Sequence, residues 1–162
     1  MTIAQIMRKM IEFSGRNTHD INHFIKVWGY AKTIGELENL DERTQKTLEI
    51  AAITHDIACP LCRAKYGNTE GKFQEKEGEP LAREFLADTG IEPEIIERVA
   101  FLVAHHHTLE GVEGADYQIL IEADFIVNAH EMSATKEQIA KFCEKNFRTA
   151  SGCALLRANY DF

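Results

Sequence analysis

Apolar side chains recur every three to four residues along almost the whole chain, and this periodicity is the strongest constraint on the fold. Strand-type alternation, in which every second residue is apolar, is nearly absent. The first segment shows the pattern clearly, with apolar residues at Ile3, Ile6, Met7, Met10, Ile11 and Phe13 before Ser14-Gly15. The sequence therefore predicts an all-α protein built from amphipathic helices.

Capping residues predict where the later helices begin. Asn17 or Thr18 can cap a second helix, and a third is expected after Asn39 or Asp41. Pro93 is favoured in the first turn of a helix. We therefore expect helices after the first at about 18–37, from 40 or 42 to 55, 75–88, 93–106, 117–131 and 134–146.

Residues 57–73 break this pattern with three helix-disrupting residues, Pro60, Gly67 and Gly71. We expect this segment to be the longest irregular stretch of the chain, of the kind that carries function or is mobile. The tail after Arg148 is ambiguous, and Leu155-Leu156 is expected to dock it onto the body.

Size and charge exclude several classes of protein. A chain of 162 residues fits one domain, 1–162, and its net charge of −8 argues against binding to a nucleic-acid duplex. No apolar run is long enough to span a membrane. The N-terminus does not resemble a signal peptide, because Lys9 and Glu12 interrupt its apolar positions. With four cysteines expected to be reduced, we predict a cytoplasmic location.

A histidine and an aspartate stand side by side after an apolar run. His55 and Asp56 follow Ile50–Ile53, so both groups are expected to lie close to the core. Burying an imidazole and a carboxylate is costly unless they have partners. A divalent metal accepts both kinds of donor. The alternative is a helix C-terminus whose His favours the dipole and whose Asp faces water.

Two further polar residues lie on apolar helical stretches. His23 can be a metal ligand or a satisfied core histidine. Asp124 can face inward while Glu122 lies on the solvent side, or it can be an exposed residue on the helix rim. The inward face would then also hold Leu120, Val127 and Asn128.

The order His, His-Asp, Asp resembles the HD-domain metal-dependent phosphohydrolase superfamily. The matching contexts are HFIKVWGYAKTI, LEIAAITHDIA and ILIEADFIVN, and the resemblance covers about residues 15–132. It implies a single-domain helical bundle of the HD-domain type with about six to seven helices in all, whose core spans about 15–132 and whose C-terminal helix and tail span 133–162. The metal ligands that it implies are His23, His55, Asp56 and Asp124.

The resemblance also implies a reaction. A water molecule activated at the metal would attack a nucleotide or another small phosphate ester. Asp56 or a nearby His would take the proton, and His106 would protonate or hold the leaving group. Nitrogen and oxygen ligands fit Mn, Fe, Co, Ni or Zn better than Mg, although Mg stays open.

A second polar cluster, His105-His106-His107, ends a predicted apolar helix. One interpretation is an exposed surface whose histidines interact favourably with the helix dipole. The other is that the cluster supplies a metal ligand, as in two-metal members of the family. His106 is the best candidate for that ligand, and His107 is the next. Those members also carry a His where this chain has Gln74, with Glu75 and Glu77 nearby. We therefore expect one ion, with a second, weaker one allowed.

Residues of and around the irregular stretch are candidates for binding the substrate. They are Arg63, Lys65, Lys72, Gln74, Glu77 and His107. The alternative for this segment is a solvated loop. Cys59 and Cys62 lack the preceding strand of a redox motif and the further ligands of a zinc site, so they receive no role.

The sequence leaves two other functions open. One is a di-iron oxygenase of the same family, against which Gln74 counts. The other is a metal- or nucleotide-binding sensor that does not turn over.

Overall fold

The computed structural model describes all 162 residues and contains only helices. The all-α prediction is confirmed, but the count of six to seven helices is too low. The nine helices are α1 (Ile3–Phe13), α2 (Thr18–Leu37), α3 (Glu42–Thr54), α4 (Cys59–Tyr66), α5 (Gly71–Leu86), α6 (Pro93–Val103), α7 (Ala115–Glu131), α8 (Lys136–Asn146) and α9 (Ala150–Asn159). No helix is both long and apolar enough to cross a membrane.

Helix α3 is the centre of the bundle. It packs against α1, α2, α6 and α7, and every residue from 47 to 54 is buried. Its N-terminus is capped by Asp41, whose carboxylate accepts the N–H groups of Arg43 and Thr44 at 3.1 Å each. Because the C-terminal half of α3 is enclosed on all sides, the residues that follow it emerge inside the protein.

The stretch 57–73 is mostly helical, so the prediction of a long irregular segment is wrong. Pro60 lies in the first turn of α4, where a missing backbone N–H removes no intrahelical hydrogen bond. Gly67 ends α4 in the left-handed region, with φ of 72°, and α5 already begins at Gly71. The breakers thus mark the two ends of a short helix, and only residues 57–58 and the link between α4 and α5 lie outside helices.

The ambiguous tail forms α9, which Thr149 caps by accepting the N–H of Gly152. Leu156 is fully buried and Leu155 packs against the core, as expected for a docked tail. Helix α9 contacts α7 and α2.

Glu122 is fully buried, so the prediction that it faces solvent is wrong. Its carboxylate accepts the backbone N–H groups of Arg148 (2.7 Å) and Thr149 (3.0 Å), and also the Thr149 hydroxyl. A Cβ atom at Gly152 would lie 2.0 Å from the Glu122 Oε2 atom, so a side chain there would displace the Glu122 carboxylate. The N-terminus of α9 covers this side of α7, which the periodicity of α7 alone does not reveal.

Candidate metal centre

The end of α3 delivers His55 and Asp56 to the middle of the protein. His55 is the C-cap of α3 and is 1% exposed. Its Nδ1 lies 2.9 Å from the carbonyl oxygen of Ala52. Because a carbonyl only accepts, Nδ1 carries the proton, and the Nε2 lone pair is directed away from α3.

His23 reaches the same point from α2. Its ring is buried, and its Nε2 lies 3.1 Å from the Nε2 of His55. Helix α2 packs against both α3 and α7, so one side of α2 faces the end of α3 and the middle of α7. The apolar residues around His23 therefore form the wall in which this polar group is enclosed.

Asp124 on α7 and His106 after α6 complete the cluster. The Oδ1 of Asp124 lies 3.2 Å from the Nε2 of His23 and 3.6 Å from that of His55. The Oδ2 of Asp56 lies 3.5 Å and 3.6 Å from the same two nitrogens. The Nε2 of His106 lies 3.5 Å from the other Asp56 oxygen, Oδ1. Three imidazoles and two carboxylates from separate parts of the chain thus converge.

These separations suit a shared cation. Ligand atoms about 2.1 Å from a metal, at angles of about 90–109°, are about 3.0–3.4 Å apart. The four donors of His23, His55, Asp56 and Asp124 are separated by 3.1–3.6 Å across the pairs given above. The set offers two imidazole nitrogens and two carboxylate oxygens, a mixture that divalent transition metals accept.

Unpartnered polar atoms point to the same conclusion. The Nε2 of His106 and the Oδ1 of Asp124 are buried and have no hydrogen-bond partner. The Nδ1 of His106 donates to the carbonyl of Val103 at 2.8 Å, so its Nε2 presents a lone pair toward Asp56. A buried polar atom without a partner is costly, and cations bound in the cluster would give each of these atoms a partner.

The charges in the cluster perturb its titration. Burial lowers the pKa of His23, but the adjacent Asp124 and the charge of Asp56 outweigh it and raise this pKa to about 9. Burial also opposes charge on both carboxylates, yet the surrounding histidines hold the pKa values of Asp56 and Asp124 well below the usual range. The anionic pair therefore demands positive charge, which without a cation comes from protonated imidazole.

The pKa of His106 follows the same logic. Burial lowers it, but the adjacent negative charge of Asp56 outweighs this effect, so the pKa is raised. The third imidazole of the cluster therefore also responds to the two carboxylates.

Glu131 orients His23 and was missed by the sequence analysis. Its Oε2 lies 2.9 Å from the Nδ1 of His23, and its Oε1 accepts from Lys26 at 2.6 Å. A carboxylate behind a ligating imidazole fixes the tautomer and raises basicity. The available signal was spacing, because Glu131 follows Asp124 by seven residues and so lies two turns along the same face of α7.

Comparison with known families identifies the family to which the chain belongs. The family model of the HD domain matches residues 20–143, which contain all five residues of the cluster. The chain belongs to the HD-domain family. The resemblance inferred from the sequence is therefore confirmed.

A solved structure shares the fold of this HD domain. It is the crystal structure of a predicted HD superfamily hydrolase from an uncultured Thermotogales bacterium, 24% identical in sequence. The match has a TM-score of 0.67 and covers 99% of this chain and 84% of that chain. No curated protein matches the chain.

The three consecutive histidines of the HD domain have different surroundings. His105 turns away, with its Nδ1 2.7 Å from the Phe101 carbonyl and its ring stacked on Phe101. His106 is 2% exposed and faces the cluster, so it is not part of an exposed surface. His107 is exposed, and together with Asp56 and His106 it forms a second group that can hold a metal ion.

Three of the six predicted substrate-binding residues lie at a polar cleft of about 180 Å³ that opens onto the cluster. They are Arg63, Gln74 and His107, and the cleft also exposes Asp20, Thr69 and Cys59. Arg63 is oriented by an ion pair with Asp20. Gln74 donates to the Thr69 carbonyl at 2.8 Å and keeps its buried Oε1 without a partner.

The other three residues do not line this cleft. Lys65 and Glu77 form an ion pair with each other at 2.8 Å, and Lys72 pairs with Glu70 at 2.7 Å while lying over the Phe73 ring. All three are satisfied on the outside of the α4–α5 pair, as the solvated-surface alternative expects. Arg63 and Lys65 are both on α4, but Arg63 lies on the side of the helix that faces the cleft and Lys65 lies on the side that faces α5 and solvent.

Proposed function

We propose that this HD domain is a metal-dependent phosphohydrolase that acts on a nucleotide or another small phosphate ester. The single observation that carries the proposal is the convergence of three imidazole Nε2 atoms and two carboxylates on one buried point beside an open cleft. The solved structure with the same fold is described as a predicted hydrolase, which agrees with this proposal.

In the proposed site His23, His55, Asp56 and Asp124 hold a divalent transition metal. A weaker second ion would use Asp56, His106 and His107, and the two oxygens of Asp56 already face different histidines. When bound, such a cation lowers the pKa of water and offsets negative charge on a phosphoryl oxygen.

The protein's own groups would position and protonate the reactants. Arg63 keeps N–H donors beyond those used by Asp20, so its guanidinium can bind phosphoryl oxygens at the cleft. Asp56 is anionic and can accept the proton of an attacking water. When only the first ion is bound, His106, held by Val103 with its Nε2 facing the site, would donate a proton from Nε2 to the leaving group.

The oxygenase alternative is less well supported. It relies on two tightly held irons, and the position where two-iron relatives are expected to place a His carries Gln74, whose amide is bonded to Thr69. A cytoplasmic location is part of our proposal, and all four cysteines are free thiols, as a reducing compartment requires.

The test is a hydrolysis screen over nucleoside mono-, di- and triphosphates, cyclic nucleotides and sugar phosphates, with Mn²⁺, Co²⁺, Ni²⁺ or Mg²⁺. We expect turnover that needs added metal and disappears in Asp56→Asn. Full metal retention with no hydrolysis of any ester would instead identify a sensor.

Arg63 and Lys65 provide a matched pair for the substrate. They are basic, partly exposed neighbours on α4, but only Arg63 lines the cleft. Loss of hydrogen bonds to a charged group costs on the order of 10- to 100-fold in binding. Arg63→Ala should therefore raise KM by at least about tenfold, whereas Lys65→Ala should leave it within about twofold. Equal increases in KM for the two variants would show that Arg63 does not bind the substrate.

A further inference from the structure

A second and larger cavity adjoins the cluster on its other side. Its volume is about 430 Å³, and it lies between α7, α8 and the turn after α6. His106, His107 and Asp124 form the end that meets the cluster. His107, Asp124 and Asn128 line both this cavity and the polar cleft, so the two spaces meet at the proposed reaction centre.

The chemistry of the cavity differs from that of the cleft. Apart from the end at the cluster, the lining is apolar with two amides, Asn128 and Gln138, and it contains no Lys or Arg. The apolar residues are Leu109, Ile121, Phe125, Ala129, Met132, Ala134 and Phe142. A second phosphate group would find no cation here, whereas an apolar group would lose little by leaving water.

Two features favour an apolar, aromatic occupant. Phe125 and Phe142 both line the cavity and stack on each other, with centroids 3.7 Å apart and an interplanar angle of 3°, so this side of the cavity is aromatic. At the rim, Met132 is 77% exposed and Leu109 is 40% exposed. Exposed apolar groups around a concave space are typical of a binding site.

The size is sufficient for a ring and its attachment. An apolar cavity of roughly 150 Å³ holds benzene, and small-molecule sites span roughly 300–1,000 Å³. A space of about 430 Å³ therefore accommodates a one- or two-ring group linked to a phosphoryl group at the cluster.

We infer that this cavity binds the organic part of the substrate, and that this part carries a planar ring. The inference rests on the proposed function, since it assigns the phosphoryl group to the cluster and Arg63. The substrate is then a ring-bearing ester with a single phosphoryl group, either a nucleotide, whose base is the ring, or an ester of an aryl-alkyl alcohol.

The decisive experiment compares two stable phosphonates by calorimetry on the Mn²⁺-loaded protein. 2-Phenylethylphosphonate and ethylphosphonate share the same head group and differ only in the ring. Burial of a phenyl-sized group corresponds to on the order of 10- to 100-fold in affinity. We expect the ring compound to bind at least about tenfold more tightly, and equal Kd values would overturn the inference.

Two variants locate the effect. Ala134→Trp fills the cavity and should remove the ring preference, whereas Ala154→Trp places the same side chain on an exposed position of α9 and should keep it. Phe142→Ala replaces Ala134→Trp if that variant fails to fold, and it should reduce the preference. A ring preference unchanged in the cavity variants would place the ring elsewhere.

The two proposals fail in different ways. 2-Phenylethanol carries no phosphonate, so shifts of the Phe125 and Phe142 ring signals on its addition would support the cavity even if no ester is hydrolysed. Hydrolysis without ring preference, measured with 2-phenylethyl phosphate against ethyl phosphate, would leave the proposed function standing and overturn the cavity assignment.

The cavity could instead be an interface between two copies of the chain. A dimer that Ala134→Trp dissociates, with no binding of the ring compound, would show this and overturn the inference. Comparison of adenosine monophosphate with ribose 5-phosphate then distinguishes a nucleobase from another ring.

Discussion

The contact between Glu131 and His23 gives the sharpest test of the proposed metal centre. Glu131 has a side chain that is 17% exposed, and its Oε2 lies 2.9 Å from the Nδ1 of His23. In Glu131→Ala the imidazole loses the group that fixes its tautomer and orientation. A hydrogen bond to a charged group contributes about 1.5–3 kcal/mol, which corresponds to about 10- to 100-fold in Kd. We therefore expect the Kd for Mn²⁺ or Co²⁺ to rise by that factor.

Two milder variants distinguish the loss of this hydrogen bond from a general disturbance of the structure. Glu131→Gln keeps an oxygen that accepts from the Nδ1 of His23 but loses the charge, which accounts for roughly half of the bond's strength, so we expect a rise in Kd of roughly fivefold. Lys26→Met removes only the exposed partner of Glu131, at a side chain 44% exposed, and should change Kd by less than about twofold.

The assay is titration calorimetry at pH 7.0 and 8.5, supported by the visible spectrum of the Co²⁺ protein. Loss of Glu131 also weakens protonation of His23, which favours metal entry, so the loss measured at pH 7.0 is a lower bound. A Kd for Glu131→Ala within about twofold of wild type at both pH values, with an unchanged Co²⁺ spectrum, would refute the reasoning.

Three further predictions concern the cluster and the tail. His55→Ala and Asp56→Ala should each abolish metal retention, and full occupancy by elemental analysis would contradict the ligand assignment. The pKa of His23 is raised from 6.5 to about 9 in the metal-free protein, so its bound proton stabilises that form below pH 6.5 and the benefit is lost as pH rises through 9. A cation displaces this proton, so Mn²⁺ affinity should rise by up to about tenfold per pH unit between 6.5 and 8.5, and a flat calorimetric profile would exclude the competition. Glu122→Ala leaves buried N–H groups of the α9 cap without an acceptor and should lower the free energy of unfolding by about 2–5 kcal/mol in urea, against less than about 0.5 kcal/mol for the exposed Glu144→Ala.

The helices and the main polar residues could be read from the sequence because both depend on local information. Periodic apolar positions and caps such as Asn17 and Asp41 determine helices without reference to the rest of the chain. His55 and Asp56 stood out because polar groups after a wholly apolar run have few ways to be buried. Helix α4 was missed because Pro60 and Gly67 look like loop residues unless their places at the two ends of a helix are known.

Which face of a helix is covered, and by what, was decided only by the tertiary structure. The sequence by itself determined an all-helical chain with a His, His-Asp, Asp set that signals its family. It did not determine that Glu122 caps α9, that Glu131 supports His23, or that Arg63 alone of the predicted lysine and arginine residues reaches the cleft. The physical reason is that helical spacing states which side chains share a face, whereas burial and contact depend on helices distant in sequence that pack against that face.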